Sequence, residues 1–210
     1  ALAASAGCVG LFIGIETTNA ENLAAVNKGF NDSRNYAARI RAIRRSGIGV
    51  IAGIIVGMDA DDVGVFERTL EFLRKARVDA IQLNIMTPLP GTPLFADFEA
   101  ASRIRTRDWS RYDFRHVVIR PAKMTASELQ DGADWLYREF YRLDRIVLRA
   151  LGTLWTAGLA PALISFRLGL TYRYDNIREK IIGRNPARRA ARPAPSAVTI
   201  PVREVRAAVR

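Results

Sequence analysis

Leu11-Phe12-Ile13-Gly14-Ile15-Glu16 decides the fold: an apolar run that ends on a carboxylate reads as a buried strand of a parallel sheet, with Glu16 at its C-terminal end. Ligands of parallel α/β proteins collect at that end of the strands. Gly49-Val50-Ile51-Ala52-Gly53-Ile54-Ile55-Val56-Gly57-Met58 repeats the pattern and finishes on Asp59. Ala80-Ile81-Gln82-Leu83-Asn84-Ile85-Met86 repeats it again and runs into Thr87-Pro88-Leu89-Pro90-Gly91-Thr92-Pro93. Three strands that hand glycine and polar residues to one rim predict a binding site there.

Helical patterns fill the intervals. Thr18-Asn-Ala-Glu21 is a capping-box pattern that opens a short helix, and a break follows at Lys28-Gly29-Phe30-Asn31-Asp32. Ser33 is placed to cap a second helix with Tyr36, Ile40 and Ile43 on one face and Gly47 as its stop. Asp61 or Asp62 opens a third, with Phe66, Leu70 and Leu73 at helical spacing. Alternating strands and helices predict an α/β fold with parallel strands and right-handed crossovers.

Beyond Pro93 the pattern changes. Trp109-Ser-Arg-Tyr-Asp113 leads into an extended run, Phe114 to Ile119, that stops at Pro121. A capping box at Thr125-Ala-Ser-Glu128 starts one long amphipathic helix marked by Leu129, Trp135 or Leu136, Phe140, Leu143 and Val147. Residues 150–166 are uncharged, with Arg149 and Arg167 at their ends. That stretch falls short of the roughly 20 residues of a membrane span and holds Gly152, Gly158 and Pro161, so a packed or interfacial helix pair is expected, with peripheral membrane contact as the second reading. The expected organisation is a strand-rich region 1–95, an α-rich region 96–183 and a tail 184–210.

Composition sets further bounds. Of the net charge of +11, the segment from Arg184 to Arg210 supplies +6, from seven arginines and one glutamate. Its Pro-Ala-Arg composition cannot bury a core and reads as a solvated tail. No aromatic residue interleaves with those arginines, which argues against a specific nucleic-acid partner. Cys8 is the only cysteine, so neither a disulfide framework nor a metal or cluster site can be built from this chain alone, and a reducing cytoplasmic setting is expected. Ala1 to Gly7 reads as the end of a helix closed by a C-cap glycine, and the chain is expected to be a piece of a longer protein.

Gly14-Ile15-Glu16, Gly53-x-Ile55-x-Gly57 and the loop Pro88-Leu89-Pro90-Gly91-Thr92-Pro93 together resemble the second half of a radical S-adenosylmethionine (SAM) enzyme. The stretch from Trp109 through His116, Pro121, Met124 and Leu129 to Phe140-Tyr141 is similar to the region after the barrel in the subfamily with an N-terminal cobalamin-binding domain. The resemblance covers roughly residues 1–145. It implies an α/β fold: the C-terminal half of a partial (β/α)6 TIM-like barrel, strands four to six, followed by an α-rich region. Implied cofactors are SAM, a 4Fe–4S cluster and cobalamin. The Cys-x3-Cys-x2-Cys loop that carries the cluster is absent here, so its ligands, like the first three strands, would lie in a missing N-terminal half, and this chain alone would be inactive.

The same resemblance assigns Glu16 to the ribose or the methionyl end of SAM, a task that suits an acceptor carboxylate. It places Gly14 where a ligand comes close, Gly53 and Gly57 against the adenine, and Asn84 toward the barrel lumen beside backbone that meets the adenine edge. No catalytic residue and no metal ligand is assigned. Asp59 stands at a position that is often polar in the family, or caps the next helix. His116 reads as a structural histidine before a general acid or lower ligand, and Cys8 as a small core residue. Trp109, Tyr112 and Trp135 wall a cavity or belong to core. The expected activity is cobalamin-type methylation or related radical chemistry on a hydrophobic small molecule, a polycyclic lipid or a tetrapyrrole. The rivals are a non-catalytic half-barrel that binds a nucleotide or partner, and a TIM-barrel fragment of other chemistry.

Overall fold

The computed structural model describes residues 2–25 and 35–183 and contains a parallel sheet of β1 (Gly10–Glu16), β2 (Gly49–Val56) and β3 (Ala80–Ile85). The strands lie side by side in chain order, each added on the same side of the last. This lacks the reversal that makes a doubly wound sheet. Three strands do not close a barrel, so the observed fold is a partial α/β domain.

Register assigns the two faces. Ile51 pairs with Phe12 and Ala80, and Gly53 pairs with Gly14 and Gln82, which sets these residues and Asn84 on one face. Val50, Ala52, Ile54, Val56, Ile81 and Ile85 project from the other and are buried. They share one core with Phe66, Leu70 and Leu73 and with Leu129, Leu136 and Phe140. The first face carries no such cover over Phe12, which is 57% exposed.

The helices start and stop where local hydrogen bonds direct them. After α1 (Leu2–Ser5), Gly7 takes φ +84° and the Gly7 and Cys8 amides close the turn onto Ala4 and Ala3. Before α2 (Ala20–Ala25) the cap is Asn19, whose Oδ1 accepts from the Glu21 amide, so the Thr18–Glu21 capping box does not form. Helix α3 spans Tyr36–Arg45, while the expected break at 28–32 and the Ser33 cap lie outside the described residues. Helix α4 (Val65–Ala76) begins later than either aspartate predicts, because Asp61 accepts from the Gly57 and Met58 amides and Asp62 from the Gly64 amide. Thr92 caps α5 (Pro93–Ala100), and Trp109–Arg111 forms a 3₁₀ turn. Of the expected extended run 114–119, residues 114–116 are turn and bend, while Ile119 bridges Ile104, with backbone bonds from Arg105 to Val118 and from Arg120 to Arg103 on either side.

The Thr125 box forms in full, each partner's side chain bonding the other's backbone, and opens α6 (Ala126–Phe140). The single long helix expected from there is two. α6 stops at Tyr141, whose buried hydroxyl is fixed to β3, and α7 (Leu143–Ala157) starts afresh with Leu143 and Val147 half exposed. Of the two candidates on α6, Leu136 is fully buried and Trp135 only packs against the core. Gly158 at φ +91° then separates α7 from α8 (Leu159–Gly183) in the middle of the uncharged stretch. No described helix is long and apolar enough to cross a membrane.

Residues 1–173 form one compact unit, in which the helices beyond Pro93 share the core of the sheet. Residues 174–210 form a second, of which the end of α8 is described; the basic tail 184–210 lies outside the described residues. Below the sheet, where β3 begins, the buried Asp79 accepts from the Val50 amide, the Arg44 guanidinium and the Thr153 hydroxyl. This buried cluster joins α3 and α7 to the strands.

Candidate functional site

The C-terminal rim is built from three strand exits. β1 leaves the ladder through a bulge: Gly14 still faces Gly53, but the next paired residue is Glu16, opposite Ile54. The Thr17 amide bonds back to the Ile15 carbonyl across 2.9 Å, and Glu16 between them is held at φ +64°. A non-glycine residue there is strained by about 1–2 kcal/mol, and such strain collects at functional sites. Glu16 is thereby fixed at the rim, half-buried.

β2 leaves through Gly57 at φ +90°. A Cβ added to Gly57 would come within 2.6 Å of the Leu129 side chain on α6, so this glycine meets the helix layer rather than the open face. Gly53 is on the open face, but Phe12 of the same sheet lies against it: a Cβ there would sit 2.9 Å from the Phe12 ring. Asn84 shares that face with Gln82, which is exposed. The open face therefore gathers Gly14, Gly53, Gln82 and Asn84, with the Phe12 ring over Gly53 and Glu16 at the rim. Two carboxamides and a carboxylate supply donors and acceptors, while the space beside Gly53 is taken by the Phe12 ring.

The rim holds a buried clasp that the strand patterns did not reveal. Asn22 donates to Asp61 Oδ1 at 2.7 Å and accepts from the Ala60 amide, while Asp61 Oδ2 accepts from the Gly57 and Met58 amides at 2.9 and 3.1 Å. Both side chains are 2% exposed or less. Burial pushes the Asp61 carboxyl above its usual range, against the pull of these N–H donors. Asp61 could have been suspected from its place just after a strand-ending glycine. Asn22 had no local signal, its partner being 39 residues away.

Asp59 caps no helix: Arg103 grips it with both terminal nitrogens at 2.6 and 3.0 Å, tying the β2 exit to the chain after α5. His116 is a half-exposed side chain whose Nδ1 lies 2.8 Å from Asp113. Cys8 is partly exposed and bonds to the Gly10 carbonyl, outside the core. Trp109 is 54% exposed and meets Tyr112 at 5.0 Å and Phe95 at 6.2 Å between ring centroids, both with tilted rings, which makes a surface aromatic group. Trp135 belongs to the core boundary instead.

The two sheet edges differ. The outer edge of β3 is occupied: the Tyr141 hydroxyl accepts from the Ile81 amide at 2.9 Å and donates to the Ile81 carbonyl at 2.8 Å, and the Ile85 amide donates to the Phe114 carbonyl at 2.7 Å. The outer edge of β1 pairs with no strand among the described residues. Nor do the described residues contain a group of three or more histidine, cysteine or acidic side chains able to hold a metal ion.

No protein-family model matches the chain. It is 32% identical to the bacteriochlorophyllide d C-12(1)-methyltransferase of Chlorobaculum tepidum over 72% of this chain and 33% of that protein. It is also 32% identical to the anaerobic magnesium-protoporphyrin IX monomethyl ester cyclase of Cereibacter sphaeroides, over 65% of this chain and 22% of that protein. The hopanoid C-2 methylase of Rhodopseudomonas palustris is 31% identical over 45% of this chain and 18% of its own length. The chain thus spans about a third or less of the length of these curated relatives.

Proposed function

The chain belongs to the B12-binding radical SAM family, and from that membership we propose that it forms one wall of the SAM site in an enzyme that methylates or cyclises a tetrapyrrole or lipid. The observation that carries this reading is the strained Glu16 beside an open sheet face of glycine and carboxamides. Glu16 accepts hydrogen bonds from the ribose hydroxyls or pairs with the methionyl ammonium. Gly14 and Gly53 admit the adenosine to the sheet, and Phe12 moves off Gly53 to let it in. Asn84 orients the ligand from β3, and Gly57 shapes the turn that the adenine lies against.

A 4Fe–4S cluster would supply the electron that cleaves SAM. This chain does not fit the cluster, since Cys8 is its one cysteine and its thiol bonds to Gly10. The ligands of such a cluster are therefore not supplied by this chain. The outer edge of β1, which pairs with no strand among the described residues, is where further barrel strands would pair, and the edge of β3 is finished by Tyr141 and Phe114 as a last strand. The exposed leucines and Trp155 on α7 and α8 suit a hydrophobic substrate or membrane surface close by.

Titration of the intact purified protein with S-adenosylhomocysteine tests the reading. Binding should weaken by about tenfold in Glu16→Ala, the loss of a charge-assisted hydrogen bond of about 1.5 kcal/mol. Binding that is absent from the wild type, or untouched by the substitution, removes Glu16 from the site and favours a non-catalytic module.

A further inference from the structure

A cavity lies at the opposite end of the sheet from that site, beside Val78 at the start of β3, with a volume of about 350 Å³ between α4, α6 and α7. Its charged lining is Arg44, Arg74, Arg77, Arg145 and Arg149 against the single carboxylate of Glu139. Glu139 is shared, lying 4.0 Å from Arg74 and 3.3 Å from Arg142, so it neutralises little of this charge. Arg44 is paired with Asp79, and Arg145 lies 3.5 Å from Asp144. Arg77 and Arg149 form no ion pair among the described residues.

Arg149 is the informative member. One terminal nitrogen donates to the Phe140 carbonyl and the guanidinium lies 4.0 Å above the Phe140 ring, so the side chain is held in place. Its other terminal nitrogen is buried with no hydrogen-bond partner, as is Nε of Arg44. Burial depresses Arg149 to about 10. Five guanidinium groups around one cavity with a single shared carboxylate leave it an excess of positive charge that suits oxygen anions. The rest of the wall is apolar: Leu70, Leu73, Phe140 and Leu148.

We propose that this cavity binds the oxyanion head of an amphiphile, with the arginines on the phosphate or carboxylate oxygens and the apolar wall on the adjoining hydrocarbon. The site is independent of the SAM wall, being at the other end of the strands. The probes are inorganic phosphate, octyl phosphate and octanoate, added to the intact protein and followed by calorimetry. Octyl phosphate or octanoate should bind saturably, and octyl phosphate about tenfold more tightly than inorganic phosphate. Arg77→Gln, an exposed change that removes no ion pair, should weaken binding at least about threefold, and Arg149→Met more. Arg68→Gln, on α4 but outside the cavity, should leave it unchanged. If neither amphiphile binds, or if binding ignores both Arg77→Gln and Arg149→Met, there is no such site. Equal affinity for phosphate and octyl phosphate overturns the assignment to an amphiphile.

Discussion

Glu16 sits at φ +64°, a conformation that a glycine adopts at no steric cost. Replacing it with glycine relieves about 1–2 kcal/mol of strain and adds a comparable backbone entropy cost, so the two nearly cancel. Glu16→Gly is therefore expected to keep its urea midpoint while losing S-adenosylhomocysteine affinity. A large drop in the midpoint would instead make Glu16 a structural residue. Gly57 represents the opposite case: the positive φ and the contact with Leu129 explain the glycine without any ligand. Two residues of one sequence motif, Gly53 and Gly57, thus meet different surroundings, an open sheet face and a helix.

Among the elements, β3 depends most on a single side chain. Tyr141 follows α6 and its hydroxyl both accepts from and donates to Ile81, in a setting whose burial pushes the phenol well above its usual range. Tyr141→Phe leaves a buried amide and carbonyl without partners, which costs about 1–3 kcal/mol. Urea unfolding should show that loss, and hydrogen exchange should show the Ile81 amide opening before those of β2. If Ile81 keeps its protection, the edge of β3 is held by something other than this tyrosine. Helix boundaries tell a related story. The apolar spacing from Leu129 to Phe140 was readable, yet the stop at Tyr141 was not; the residue there is held by a bond to a strand 60 residues earlier.

At the scale of the molecule, one core holds sheet and helices, and paired side chains tie its loops. The Arg103 hydrogen bond, aided by its charge, holds Asp59 below the usual carboxylate range against the cost of burial. For Asp113, burial opposes the charge, but the His116 ring and the Arg115 and His116 amides outweigh it, and its carboxyl also lies low. A depressed carboxylate stabilises the fold above its unfolded pKa of about 3.9 and gives up that contribution as pH falls through the lower folded value. Stability should therefore decline below about pH 4, and Asp59→Asn should flatten part of that decline in urea midpoints measured from about pH 5 to 2. An unchanged slope would mean that the Arg103 pair does not contribute to stability. The Arg44–Asp79–Thr153 group at the base of the sheet is a different kind of tie, buried rather than exposed, and Asp79 gives it an ionic anchor at the start of β3.

The sequence by itself determined the three strands, their parallel order, most of the α6 face, and the glycines and Glu16 at one rim, because periodicity and apolar runs record which side of an element is buried. Family likeness was legible for the same reason, through short motifs along each strand. What only the tertiary structure decided is how those motifs are used: Gly57 against Leu129, Phe12 over Gly53, Asn22 on Asp61, and Tyr141 on the edge of β3. Such contacts join residues far apart in the chain, and their partners are chosen by packing in three dimensions, which no local spacing encodes.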